Sequence, residues 1–221
     1  MHSLLAIIAA TSILGTQLPG EIESRTDSES VVEIDTAATP LLQVGDTIED
    51  FTIPTPYSPA GSEEISLGSL LEDGPVVLTF FRGSWCHYCR GELSKLQDRL
   101  EDFEEIGAQV LAISPELPED TIEFGEKENY GFYIGHDENN ELARDLGLTF
   151  KLDAKTIKAY RSYKINVPKS NGTRKWELPI PATYVIDQDF TVQFVFDTED
   201  YSKRANCKKV LKVVKEIQAE D

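Results

Sequence analysis

Cys86 and Cys89, separated only by His87 and Tyr88, are the residues whose type and spacing can do chemistry. Two thiols at this spacing can close a reversible disulfide, and the thiolate form of either attacks disulfides and peroxides. The pair stands directly behind the apolar run Val76-Val77-Leu78-Thr79-Phe80-Phe81 and directly ahead of an amphipathic helical pattern. That places the dithiol at a strand-to-helix junction, where free backbone N–H groups and the positive end of the helix dipole stabilise a thiolate. His87 could lower a thiol pKa by direct charge interaction, or face solvent without effect. Trp85 reads as a packing wall beside the thiols. The third cysteine, Cys207, shares a helical face with Val210, Leu211, Val214 and Ile217 and reads as a small buried hydrophobe, with a distal resolving thiol as the alternative.

Competing uses of the cysteines are weak. A structural zinc ion takes four ligands, and beyond the pair the chain offers Cys207 and three histidines with no second cluster. Three cysteines are too few for a disulfide scaffold, and a core of this length needs no staple. The expectation is a site with no metal and no cofactor, only a reversible Cys86–Cys89 bond.

With 39 acidic against 21 basic residues, the net charge of -18 repels nucleic acid and acidic membrane surfaces. The apolar stretch Leu4-Leu5-Ala6-Ile7-Ile8-Ala9-Ala10, continuing through Ile13 and Leu14, is too short to span a bilayer and has the length of a signal-peptide core. Residues 1–20 are therefore expected to be a signal peptide of a secreted or periplasmic protein, the alternative being a cytoplasmic protein with an uncleaved start. Residues 21–40, rich in Glu, Asp, Ser and Thr, read as an acidic flexible linker, and 41–221 as the folded domain. Asn171-Gly172-Thr173 fits the N-glycosylation pattern but reads first as a plain Asn-Gly turn.

The elements that must position the dithiol follow from periodicity. A first hairpin runs through Ile53 and Ile65 around a loop near 58–62. After the buried strand at 76–81, Leu93, Leu96, Leu100 and Phe103 recur on one face of a helix ended by Gly107. Val110-Leu111-Ala112-Ile113 is a second buried strand, Pro118-Glu119-Asp120 opens a helix towards Glu128, residues 132–134 form a short strand, and 139–146 a short helix. After Gly147 the pattern loosens into an insertion or lid. Regularity returns as a hairpin of strands at 184–186 and 192–196, and a closing helix covers 207–217. This order is α/β with an antiparallel end and suits a thioredoxin-type sheet.

The run Phe81-Arg82-Gly83-Ser84-Trp85-Cys86-His87-Tyr88-Cys89, the later Leu178-Pro179-Ile180-Pro181-Ala182-Thr183-Tyr184-Val185-Ile186-Asp187 and the Gly45-Asp46 start resemble the peroxiredoxin-like branch of the thioredoxin superfamily, which includes alkyl hydroperoxide reductase and thiol-specific antioxidant. The resemblance covers Leu41 to the C-terminus. It implies a thioredoxin-like fold, a central mixed β-sheet flanked by helices, with a peroxiredoxin-type N-terminal extension. It also implies that Pro181 is a cis-proline packed against the dithiol, exposing backbone that could pair with a peptide.

Two registers then assign the thiols differently. In the thioredoxin register Cys86 is the exposed nucleophile and Cys89 resolves. In the peroxiredoxin register Cys89 is peroxidatic, followed by Glu92 and Leu93 as that family's acid and leucine, and Cys86 replaces a threonine. Arg82 then stands where the family has a proline, and Pro181 where it has a second arginine, leaving the peroxide-binding set incomplete. Arg82 could substitute in part, or be a surface arginine paired with an acid. The function implied is a thiol peroxidase acting on hydrogen peroxide or alkyl hydroperoxides and recycled by a thioredoxin-type donor. The alternatives are a thiol-disulfide oxidoreductase acting on protein disulfides and a redox-silent binding module.

Overall fold

A computed structural model describes residues 40–220. The signal-peptide reading and all of the linker reading before Pro40 fall outside the described residues. The chain enters through β1 (Thr52–Pro54) and β2 (Glu64–Ser66), an antiparallel hairpin in which Ile53 faces Ile65, then α1 (Leu67–Leu71). Next come β3 (Val76–Phe80), α2 (His87–Gln97), α3 (Leu100–Glu104), β4 (Gln109–Ser114), α4 (Pro118–Glu128) and β5 (Tyr133–His136). A 3-10 turn leads into α5 (Glu141–Asp145). Then follow β6 (Thr149–Lys151), α6 (Ala154–Ser162), α7 (Val167–Ser170), β7 (Glu177–Pro179), β8 (Ala182–Ile186), β9 (Val192–Asp197) and α8 (Cys207–Glu220).

The central sheet has five strands in the order β5-β4-β3-β8-β9. β3 is parallel to β4 and antiparallel to β8, so Leu78 lies between Leu111 and Tyr184. Successive side chains of a strand point to opposite faces, and all five residues of β3 are buried, so both faces must be covered. On one face Leu78, Phe80, Leu111, Ile113 and Tyr184 pack with Leu67, Leu148, Val167 and Leu178. On the other, Val77, Phe81, Val110 and Val185 pack with Leu93, Leu96, Phe103, Val210 and Val214, and this second core holds Cys86 and Cys89. The result is the mixed sheet flanked by helices that the sequence implies.

Three expectations are corrected. The helix carrying Leu93 to Phe103 is two helices, because Arg99 leaves helical geometry at φ -120°, ψ 9°, and Leu100 and Phe103 reach the same core from the new axis. The segment after Gly147 is not a loose lid. β6 and β7 pair antiparallel, α6 is capped by Asp153, whose carboxylate accepts from the Thr156 N–H at 2.6 Å, and α7 is capped by Asn166. Pro181 is trans, since no described peptide bond is cis. The Ile180 N–H is already held by the Leu148 carbonyl at 2.6 Å, and the chain passes straight from β7 into β8. Asn171 is buried at the end of α7 and Gly172 turns the chain at φ 63°, which agrees with the plain turn and removes the glycosylation alternative.

Candidate active site

The dithiol is positioned by a short loop between β3 and α2. The Phe81 N–H continues the sheet to the Ile113 carbonyl at 2.9 Å, after which Gly83 turns the chain at φ 139°. A Cβ there would come within 2.5 Å of Trp85 Nε1, so the turn requires glycine. Ser84 is tied down through Glu116, whose carboxylate accepts from the Ser84 N–H at 2.6 Å, the Ser84 hydroxyl at 2.9 Å and the Ser170 hydroxyl at 3.1 Å. Burial pushes the Glu116 carboxyl above its ordinary value, and the Ser84 and Ser170 hydrogen bonds oppose the shift. The Glu116 carboxylate thus joins the redox loop to the α7 segment.

Cys86 is the N-cap of α2, with extended backbone at φ -84°, ψ 107° and its sulfur accepting from the Cys89 N–H at 3.3 Å. The two cysteines are disulfide-bonded with Cα atoms 5.2 Å apart, inside the range such a bond spans without backbone movement. Cys86 is 2% exposed and Cys89 0%.

Arg82 is buried, 4% exposed, which overturns the reading of a surface arginine paired with an acid. Its Nη1 donates to the Tyr160 hydroxyl at 2.6 Å and its Nη2 to Cys86 Sγ at 3.1 Å. The guanidinium carbon lies 5.5 Å from the Trp85 ring centre and 4.9 Å from that of Tyr201. Burial lowers the Arg82 pKa, while Tyr160 and Tyr201 oppose the shift. Sulfur, hydroxyl and aromatic faces together replace the water it gave up.

Sequence reasoning missed Arg204. From the segment between β9 and α8 its Nη2 donates to Cys89 Sγ at 3.0 Å and reaches Cys86 Sγ at 3.8 Å. Its Nε pairs with Glu92 Oε2 at 2.8 Å. Glu92 also accepts from the Thr183 hydroxyl at 3.2 Å, two residues past Pro181. Burial pushes the Glu92 carboxyl up to about 7, and Arg204, Thr183 and Lys95 oppose it. The only sequence signal for Arg204 is a basic residue in a turn of an acidic chain, with no period or motif to mark it.

The other expected residues take simpler places. His87 is exposed, its ring edge-on to Tyr88 at 5.9 Å, and the sulfurs' described donors are Arg82, Arg204 and the Cys89 N–H. Trp85 is half-buried against the edge of Tyr160 at 5.7 Å, as a packing wall. Pro181 is buried where β7 passes into β8. Cys207 is a free, half-buried thiol at the start of α8, facing the Lys95 carbonyl at 3.8 Å, and burial raises its pKa. Among the described residues no cluster of His, Cys, Asp and Glu could hold a metal ion. A groove of about 700 Å³ opens beside the dithiol between α2 and residues 202–208, with Tyr88, Glu92, Lys95, Arg204 and Lys208 on its walls.

The profile of the AhpC/TSA family matches residues 44–195, which span the Trp-Cys-x-x-Cys run, all of β8 and the first part of β9. The chain belongs to the AhpC/TSA family. A Mycobacterium tuberculosis protein named as a peroxiredoxin is 26% identical over 178 residues, covering 80% of this chain and 99% of its own. The thiol-disulfide oxidoreductase ResA of Oceanobacillus iheyensis is 26% identical over 103 residues, covering 46% of this chain and 53% of its own. The crystal structure of peroxidoxin BcpB from Mycobacterium tuberculosis superposes with a TM-score of 0.62 at 25% identity, over 80% of this chain and 98% of that one. As an AhpC/TSA member, the chain has Pro181 where the resemblance places a second arginine. Arg204, beyond the matched segment, brings a guanidinium to the dithiol from the chain that leaves β9 at Asp197, the residue paired with Ala182 next to Pro181.

Proposed function

We propose that the protein is a thiol peroxidase in which Cys86 attacks hydrogen peroxide or an alkyl hydroperoxide and Cys89 resolves the product. The observation that carries this reading is the pair of buried guanidinium groups on the two sulfurs, Arg82 at 3.1 Å from Cys86 and Arg204 at 3.0 Å from Cys89. On reduction the two sulfurs part from bonding distance to van der Waals contact, with Arg82 on the Cys86 side and Arg204 on the Cys89 side. At the N-cap of α2 a Cys86 thiolate would take the Cys89 N–H and the Arg82 N–H together, two donors that stabilise the charged form.

The thiolate attacks one peroxide oxygen. The S–O bond forms as the O–O bond breaks, and the departing oxygen takes a proton from solvent and leaves as water or an alcohol. Preorganised N–H donors at Arg82 and Arg204 stabilise the charge developing on oxygen, an effect worth about 10²–10³-fold per donor in comparable oxyanion sites. The Cys89 thiol then attacks the Cys86 sulfenic acid, expels water and leaves the disulfide. A thioredoxin-type dithiol donor returns two electrons and two protons.

Stopped-flow mixing of the reduced protein with hydrogen peroxide tests the reading. Oxidation far faster than a free thiol supports it. Oxidation no faster than a free thiol, alongside brisk insulin disulfide reduction, would establish the second reading, a thiol-disulfide oxidoreductase, which the likeness to ResA favours. Export belongs to the same proposal, through the apolar segment within residues 1–20, and N-terminal sequencing of the mature protein tests it.

A further inference from the structure

Tyr160 reaches the dithiol from α6, and its surroundings fix where its hydroxyl stands. Asp153 caps the helix through the Thr156 N–H at 2.6 Å, Ile157 and Tyr160 pack against the core on the β6–β7 side, and the Tyr160 ring meets Trp85 edge-on at 5.7 Å. The hydroxyl accepts from Arg82 Nη1 at 2.6 Å, while Nη2 of the same guanidinium donates to Cys86 Sγ at 3.1 Å. The two nitrogens sit on one carbon in a rigid planar fork, so the phenol oxygen and the sulfur stand side by side along its edge. A peroxide whose departing oxygen shares the Arg82 fork with the sulfur comes within reach of that hydroxyl.

A hydroxyl that accepts one N–H still has its own proton to give. Among the described hydrogen bonds, none takes the Tyr160 proton. Breaking an O–O bond puts negative charge on the departing oxygen, whose conjugate acid, for water, has a pKa of about 15.7. A phenol, ordinarily near pKa 10, keeps its proton at neutral pH and is still far more acidic than water. Burial raises the Tyr160 pKa and the Arg82 charge opposes the shift, so the phenolate formed as the proton leaves has a cation beside it. The neighbouring groups are less suited to the task. Arg82 does not release a proton at working pH, His87 is exposed against Tyr88, and Glu92 is held on the Cys89 side by Arg204 and Thr183.

We propose that Tyr160 is a catalytic residue, the general acid that protonates the departing peroxide oxygen. As the Cys86 thiolate forms the S–O bond, the electron pair of the O–O bond moves to the far oxygen. The Tyr160 O–H bond breaks, its proton joins that oxygen, and water or an alcohol leaves. The phenolate beside Arg82 then takes a proton back from solvent, so the solvent proton of the net reaction passes through Tyr160. The proposal rests on the peroxidase reading and deepens it.

The test is stopped-flow oxidation of the reduced wild-type protein and of Tyr160→Phe by tert-butyl hydroperoxide and, separately, by a peroxy acid. An alkoxide needs a proton as it departs, whereas a carboxylate is stable unprotonated at neutral pH. Tyr160→Phe is expected to slow the hydroperoxide about 10²-fold and the peroxy acid by less than about tenfold. Wild type, at a pH where the thiol is fully ionised, is expected to react more slowly in heavy water with the hydroperoxide and not with the peroxy acid, a measurement that needs no variant. An equal loss on both oxidants, no loss on either, or a heavy-water effect shared by both overturns the assignment of Tyr160 while leaving a fast wild type a peroxidase. Wild type reacting with the hydroperoxide no faster than a free thiol sinks the peroxidase reading, and this proposal with it.

Discussion

Replacing Arg82 by Met removes a buried charge beside Cys86 while keeping a stem of similar length. Arg82 Nη2 is 3.1 Å from the sulfur and the side chain is almost fully buried. At an effective dielectric of about 20, a guanidinium and a thiolate at that separation attract by about 5 kcal/mol. Not all of this is lost. Arg204 remains 3.8 Å from Cys86 Sγ, the Cys89 N–H remains at 3.3 Å, and the desolvation that lowers the Arg82 pKa disappears with the side chain. A net loss of about 2–3 kcal/mol of thiolate stabilisation remains. The assay is an ultraviolet thiolate titration of the reduced Cys89→Ser protein with and without Arg82→Met, followed by peroxide oxidation at neutral pH. The rate is expected to fall about 10²-fold, from the lost thiolate fraction and the lost donor together. Arg82→Lys is expected to restore most of the pKa and less of the rate, because an ammonium lacks the fork that spans Tyr160 and the sulfur. A pKa change of less than about half a unit in Arg82→Met would refute the assignment of Arg82 as the group that holds the thiolate.

Peroxide treatment of the single cysteine variants is expected to leave a trappable sulfenic acid in Cys89→Ser and none in Cys86→Ser; the opposite pattern would place the attack on Cys89, in the peroxiredoxin register. Glu92 is raised to about 7 in the folded protein by burial, so its contribution to stability is complete below the ordinary carboxyl range and is lost as pH rises through about 7. Denaturant titrations should therefore show wild type losing about 1–3 kcal/mol relative to Glu92→Gln between the two pH regions, and parallel curves would count against the burial of that charge. Tyr184 carries a buried hydroxyl without a described partner, so Tyr184→Phe is expected to leave the urea midpoint unchanged or raise stability by about 1 kcal/mol, and a clear loss would reveal a partner for that hydroxyl.

The dithiol and its setting were legible because their signals are local. An unbroken apolar run marks β3, helical spacing marks α2, and the cysteines fall at their junction. The segment of β6, α6, α7 and β7 was not, because its strands are three residues long and its helices announce themselves only through the caps Asp153 and Asn166. Arg82 was left open between the site and the surface for a different reason. An arginine in an acidic chain suggests a surface ion pair, and nothing in its neighbours reveals that Tyr160 and Tyr201, far along the chain, arrive to enclose it. Arg204 stands 115 positions from the cysteine it touches, a distance at which single-sequence reading has no period to follow.

The placement of the two arginines also bears on which thiol attacks. Arg204 must serve both Cys89 and the Glu92 carboxylate, and that carboxylate is itself poorly solvated. A thiolate on Cys89 would compete with a neighbouring negative charge for one guanidinium, and like charges so close disfavour the second ionisation. Arg82 carries no such competitor, since its other hydrogen-bond partner is the Tyr160 hydroxyl. Cys86 also takes the N–H of Cys89 at the start of α2, whereas Cys89 lies inside the first turn. On the proposed peroxidase reading this arrangement favours Cys86 as the seat of the reduced dithiol's negative charge, with Cys89 as the thiol that gives up its proton when water is expelled from a Cys86 sulfenic acid.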